Sequence, residues 1–365
     1  MAHSSEFSRA REISFDAREL TGALGDSITV LPLLVALALT TSVSLPHVLV
    51  AFGVFQIVWG IHYGLPLSVE PMKALVGLAI VGVLSYAELA AAGLLAGIVL
   101  LGAARFGLVG RIERVVGEPV VRGIQLAVAL LLLEAAVSLS VGDPGIAAVG
   151  LLVVLGLAVV GRLRESALVV LAAGAAVAVY VAGVPTPQLP AATPFPAGGP
   201  SLTGAAIEGT IAQLGMTVGN AAIATSLLCA DLYDRRLSAD ELAGSMGVTC
   251  LAAVPAGGVP MCHGSGGLAG KYAFGARTAG ANVILGIGYL LVALVAGAAL
   301  LAAFPLALLG VLLAVVAYEL GRAAFAPVEE LPALALVAGV GAVGVVVNVG
   351  LAFVLGAVVY WLARR

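Results

Sequence analysis

Few side chains in this sequence can do chemistry, and most of them fall in two short blocks. The first, Ser68-Val69-Glu70-Pro71-Met72-Lys73, sets a carboxylate and an ammonium three positions apart. The second, His263-Gly264-Ser265-Gly266-Gly267, sets an imidazole and a hydroxyl among glycines. Outside these blocks Asp26, Gln213 and Asn220 stand in strongly apolar surroundings. Proline is well tolerated at a first helical position, because that N–H has no intrahelical partner. A helix is therefore expected to begin near Pro71, with its free N–H groups and positive dipole end facing the break. Glycines in the second block let backbone approach a ligand closely. Two helix N-termini aimed at one point make an anion site. On this reading Pro71, Met72, Lys73, Asn220, His263, Gly264, Ser265, Gly266 and Gly267 bind the ligand. Gln213, Ser68 and Thr29 support them, and Asp26 and Glu70 serve proton or ion coupling.

Each of these residues also admits a plainer role. Glu70 is either protonated when an anion binds, which links anion binding to protons, or paired with Lys73 on the same helical face. Asp26 is a proton carrier, a cation ligand or an acceptor capping a broken helix. Asn220 and Gln213 either meet the ligand or hold two helices together. His263 is either an interhelical donor or a ligand group. Glu134 falls within an apolar span, while Glu208 and Glu319 fall near span ends, where they can reach water. The three cysteines, Cys229, Cys250 and Cys262, lack metal-ligand spacing and read as small buried hydrophobes. No metal and no cofactor is expected. Without a His/Glu metal motif or a Gly-x-Ser-x-Gly nucleophile, an intramembrane enzyme is disfavoured.

The elements that must position these groups are membrane helices. The 365 residues are 61% hydrophobic and 10% charged, whereas soluble domains carry about 25% charged residues. Few aromatics are present, so no wide stacking surface for nucleic acid exists. A membrane-crossing helix needs ~20 apolar residues, fewer where it is broken or buried. Spans are expected at 20–40, 46–63, 68–86, 89–104, 120–140, 145–161 and 166–184. A charge-free Pro/Gly/Ala loop at 185–205 separates them from spans at 206–229, 242–257, 262–277, 280–303 and 305–321, with two short elements in 331–363. The fold expected is an all-α, polytopic membrane protein of seven plus seven spans, with the third and tenth broken and meeting at mid-membrane.

Internal repetition supports that division. Pro66 and Pro260 lie 194 positions apart, and the same offset relates Gly25-Asp26 to Gly219-Asn220, Leu20 to Leu214 and Gly53 to Gly247. Helices broken at matching places in two repeats point to a transporter's binding site, since broken backbone in a membrane is tolerated only beside protein or a cavity. An odd number of spans per half inverts the second copy. The domains expected are a cytoplasmic segment 1–19, a first repeat 20–184, an extracytoplasmic loop 185–205 and an inverted second repeat 206–365. With the N-terminus inside, Arg9, Arg11, Arg18, Arg105, Arg111, Arg114, Arg122, Arg162, Arg164, Arg235, Arg236, Arg277, Arg322, Arg364 and Arg365 all fall on the cytoplasmic side. No cleavable signal peptide is visible, and the first span is read as its own insertion signal.

At these residues the sequence resembles the molybdate transporters related to sulfate permeases. Pro66 to Ala74 is similar to that family's first signature. Pro260 to Tyr272, continued by Phe274-Gly275-Ala276-Arg277, is similar to its second. Leu20 to Asp26 and Leu228 to Leu232 are also similar. The resemblance implies a seven-plus-seven inverted repeat shared with sulfate and uracil/xanthine permeases, and a core domain moving against a gate domain. It implies a secondary transporter of a tetrahedral oxyanion, molybdate or sulfate, in the cell membrane. Glu70 stands where the family usually has glutamine. The partners expected are the oxyanion, a coupling proton and the lipid bilayer, with a homodimer left open. The alternatives are a nucleobase permease on the same fold, which Asn220 disfavours in place of an acidic residue, and an anion channel.

Overall fold

Most of the expected spans coincide with helices to within a few residues, while the third (68–86) and the tenth (262–277) hold only the short helices Lys73–Ile80 and Ser265–Ala273. The computed structural model describes residues 13–111, 117–326, 328 and 330–363, with Thr29 described by its backbone alone. Arg9, Arg11, Arg114, Arg364, Arg365 and the Thr29 side chain lie outside the described residues. The first half comprises α1 (Ala17–Thr40), α2 (Leu45–Tyr63), β1 (Val69–Pro71), α3 (Lys73–Ile80), α4 (Tyr86–Arg105), α5 (Glu118–Val141), α6 (Pro144–Val159) and α7 (Leu163–Ala182). The second comprises α8 (Gly204–Tyr233), α9 (Ala239–Ala253), β2 (Met261–His263), α10 (Ser265–Ala273), α11 (Gly280–Ala293), α12 (Ala298–Ala302), α13 (Leu306–Phe325), α14 (Leu331–Val346) and α15 (Val349–Ala363).

The chain is a helical membrane protein. Six described helices, α2, α4, α5, α7, α8 and α13, are long and apolar enough to cross a bilayer by themselves. Helix ends follow ordinary capping chemistry. The Asp16 carboxylate accepts the N–H groups of Arg18 and Glu19 at the start of α1, and Ser85 with Glu88 forms a reciprocal capping box on α4. The expected span 280–303 is divided into α11 and α12. Its chain turns through i→i−3 bonds at Leu294 and Val295, and Gln188 of the long loop donates to Leu294 O at 2.7 Å.

Within this helical fold the two breaks are short strands. They pair antiparallel, with Val69 opposite His263, Glu70 opposite Cys262 and Pro71 opposite Met261. The Met72 N–H extends the pairing to Pro260 O at 2.9 Å. Extended backbone in an apolar interior must pair its N–H and C=O groups, and each break supplies the other's partners. Both half-helices begin directly after these strands, α3 at Lys73, two residues past Pro71, and α10 at Ser265. These starts lie 192 positions apart, not 194, because Pro260 leads straight into β2 whereas two residues separate Pro66 from β1.

Packing repeats across the halves. α2 lies along α11 and α4 along α9, while α5 packs chiefly on α13 and α14. Gly53 and Gly247, matched at the 194 offset, make equivalent contacts. A Cβ at either would lie 2.8 Å from a backbone carbonyl oxygen, Gly286 O for one and Gly97 O for the other. Such close backbone approach is how small residues hold membrane helices together.

Candidate anion-binding site

The first turns of α3 and α10 need acceptors that their own caps do not provide, since Met72 and Gly264 make no side-chain cap. Gln213 of α8 serves α3. Its Oε1 accepts the Ala74 N–H at 2.9 Å and the Leu75 N–H at 3.3 Å, and its Nε2 donates to Thr217 Oγ1 at 2.9 Å. Glu70 serves α10 from the opposite strand. Its Oε1 accepts the Gly267 N–H at 2.8 Å, and its Oε2 pairs with Lys73 Nζ at 2.6 Å. No acceptor is found among the described residues for the backbone N–H groups of Lys73, Ser265 and Gly266.

A cavity of about 320 Å³ lies against these two helix starts. Of the residues singled out from sequence, Glu70, Lys73, Gln213, Asn220, His263, Gly264, Ser265, Gly266 and Gly267 line it. Pro71 and Met72 stand behind it, Pro71 in β1 against Met261 and Met72 wholly buried. A Cβ built on Gly266 meets nothing, so this residue opens onto free space. A Cβ on Gly264 or Gly267 would collide with the Glu70 carboxylate. Those two glycines make room for the acid.

Asn220 lies where α8 widens into a π-helix, Thr217–Ile223. Such segments frequently occur at functional sites. Its Nδ2 donates to Gln125 Oε1 at 3.4 Å, and Gln125 Nε2 donates to Leu320 O at 3.1 Å. A polar bridge therefore joins α8, α5 and α13 across the cavity. His263 is a fixed wall. Ser68 O, which can only accept, lies 3.1 Å from Nδ1, and Ser245 Oγ lies 2.7 Å from Nε2. The ring stacks edge-on against Trp59 and Tyr63.

Asp26 and Ser68 sit outside the cavity lining, in a closed network. Asp26 accepts from Ser68 Oγ at 2.6 Å and Gln56 Nε2 at 2.9 Å, and pairs with Lys271 Nζ at 3.1 Å. Lys271 gives its other protons to Gln56 Oε1 at 3.0 Å and Asn282 Oδ1 at 2.6 Å. Asp26 and Lys271 are both completely buried. Removing one member of a buried pair strands the other charge, at a cost of about 3–5 kcal/mol. Lys271→Met is accordingly expected to lower the thermal midpoint sharply, and adding Asp26→Asn should recover part of the loss. A single variant as stable as the wild type would contradict this role.

Sequence reasoning missed Gln125 and Thr217 as cavity residues, and read Arg122, Arg164 and Arg322 only as topology markers. Glu319, expected to reach water, also lines the cavity, with Oε2 3.2 Å from Arg322 Nη2 and 3.8 Å from Arg164 Nε. Glu134 and Glu208 are exposed on the helix surface. The available signal was the pair Arg122 and Gln125, which share one face of a helix at i, i+3.

Residues 18–132 and 205–320 match the family described as "Molybdate transporter of MFS superfamily". Each matched stretch contains one of the two strand-to-helix breaks. Molybdate transporter 1 of Arabidopsis thaliana is 30% identical over 84% of this chain and 79% of its own length. Molybdate transporter 2 of the same plant is 30% identical over 84% and 78%. Among solved structures, the fold is similar to the transmembrane domain of a cyanobacterium bicarbonate transporter, BicA (TM-score 0.66, 17% identity, 94% of this chain and 97% of that one). It is also similar to murine Solute Carrier 26 family member A9, an anion transporter, in the inward-facing state (TM-score 0.66, 12% identity, 96% and 68%). The chain belongs to the molybdate transporter family.

Proposed function

We propose that this chain is a secondary transporter that carries molybdate, and competitively sulfate, across the cell membrane by alternating access coupled to protons. The observation that carries this reading is the convergence of two half-helix N-termini on one cavity, with the N–H groups of Lys73, Ser265 and Gly266 left without an acceptor among the described residues. Backbone donors at helix starts suit a tetrahedral dianion with four acceptor oxygens. Ser265 and Asn220 add side-chain donors, and Lys73 adds charge. The names of the two Arabidopsis relatives supply molybdate as the first substrate to test.

In this proposal α1 to α4 and α8 to α11 form the core that carries the anion. The gate is α5 to α7 with α13 to α15. The polar bridge from Asn220 to Gln125 spans the two groups and must break when one moves against the other. The half-exposed Arg164 and Arg322 mark the cavity's open end, which the positive-inside rule assigns to the cytoplasm, together with both termini. Glu70 is the proton-linked group, because its carboxylate occupies donors that a dianion would otherwise take.

The test is uptake of labelled molybdate into proteoliposomes holding the purified protein. Molybdate should accumulate with an inward proton gradient, unlabelled sulfate should compete, and uracil should not. Competition by uracil with no effect of sulfate would favour the nucleobase reading instead.

A further inference from the structure

We infer that the cavity holds a second, outer oxyanion site at its mouth, built from Arg122, Arg164 and Arg322. The proposal shares only the substrate class, a doubly charged tetrahedral oxyanion, with the reading above. Three different helices, α5, α7 and α13, bring these guanidiniums to the same cavity that Lys73 and Gly264 to Gly267 line. Topological anchors need only reach the membrane surface. These three line a cavity wall.

Their carboxylate partners do not saturate them. A single oxygen, Glu319 Oε2, is shared by Arg322 Nη2 at 3.2 Å and Arg164 Nε at 3.8 Å. Arg122 is anchored by its Nη1 on Ala323 O at 3.0 Å, next to Arg322, while its Nε and Nη2 reach the mostly exposed Glu118. Deeper in, Glu70 already neutralises Lys73. The cavity wall is therefore left with excess positive charge, concentrated at the mouth. Guanidinium forks match tetrahedral oxyanions, which can bridge several donors at once. Because Arg164 and Arg322 are about half exposed, binding here is weak and sensitive to salt. The site's role is capture, raising the local anion concentration before transfer to the helix starts.

The experiment titrates the full chain in lipid nanodiscs with molybdate, at low and at high salt, and follows binding rates as well as equilibrium. The wild type should show a tight component and a weak, salt-sensitive one. Gly266→Val, aimed at the inner site, should keep the weak component alone. The double variant Arg164→Gln/Arg322→Gln should lose the weak component and slow binding to the tight site about tenfold at low salt, with little difference at high salt. Glu319→Gln should strengthen the weak component. Arg105→Gln, which removes an exposed charge at the end of α4 outside the cavity, should behave as wild type. A folded double variant with an unchanged weak component and unchanged on-rate would overturn the proposal. A weak component without any tight one would support the outer site and count against the inner one.

Discussion

Gly266→Val is expected to abolish tight oxyanion binding at the helix starts in a protein that still folds. The N–H of Gly266 is the second in α10 and has no acceptor among the described residues, and the space beyond its α-carbon is open. A branched side chain there fills the space an anion must occupy to reach the adjacent N–H groups. Hydrogen bonds to charged groups contribute about 1.5–3 kcal/mol each. Losing two of them weakens binding at least ~100-fold, at 1.4 kcal/mol per tenfold. The fold should tolerate the change, because valine has the higher helix propensity and its Cβ meets no neighbour. Neighbouring glycines supply the contrast. Gly267→Ala places its methyl on the carboxylate of Glu70 and the side chains of Ser68 and Asp26, so it should lower stability as well as binding. Calorimetric titration with molybdate, paired with thermal unfolding, checks both. Wild-type affinity in Gly266→Val would place the site elsewhere.

Glu70→Gln should bind the anion more tightly at neutral pH, lose its pH dependence and fail to accumulate substrate against a gradient. Ionised Glu70 occupies the Gly267 N–H and the Lys73 ammonium, two groups that a dianion would use. Protonating or neutralising it frees Lys73 and removes repulsion that costs several kcal/mol at short range in a low dielectric. The titratable groups around it are Lys73, Cys262 directly opposite on the paired strand, His263 beside it, and Asp26 beyond Ser68. On the proposed coupling, anion binding takes up a proton, so wild-type affinity should rise as pH falls, by up to about tenfold per unit. The rival view, that Glu70 only balances Lys73 for stability, predicts a large loss of thermal stability in the variant. Lys73 is 22% exposed and Glu70 2% exposed, so the freed ammonium keeps contact with the cavity and the stability cost should stay below the about 3–5 kcal/mol of breaking a fully buried pair. A variant with unchanged pH dependence and unchanged accumulation removes Glu70 from the mechanism.

The frame of the site was readable because breaks in apolar spans leave strong marks. Pro66 and Pro260, and the glycines after His263, announced both interruptions and their pairing. That α3 begins at Lys73 could not be read, since it depends on how far the strand pairing runs, a contact between residues nearly two hundred positions apart. The role of Glu70 as a cap for the other half's helix was hidden for the same reason. Lys271 read only as a charge near a break, because its partners Asp26, Gln56 and Asn282 come from three separate helices. The arginines at the mouth were legible as topology and illegible as a cavity wall, since periodicity does not reveal which face of α5, α7 or α13 turns inward. The π-helix around Asn220 has no sequence mark that propensity could detect.

The position of the anion decides between these readings, and molybdenum's own scattering locates it most directly. Anomalous diffraction from crystals of the protein grown with molybdate should place a peak in the cavity, within hydrogen-bonding reach of the Ser265 and Gly266 N–H groups and near Lys73 Nζ. That peak should vanish in Gly266→Val. A molybdenum peak absent from the two helix starts in the wild type, or unchanged in the variant, would contradict the account.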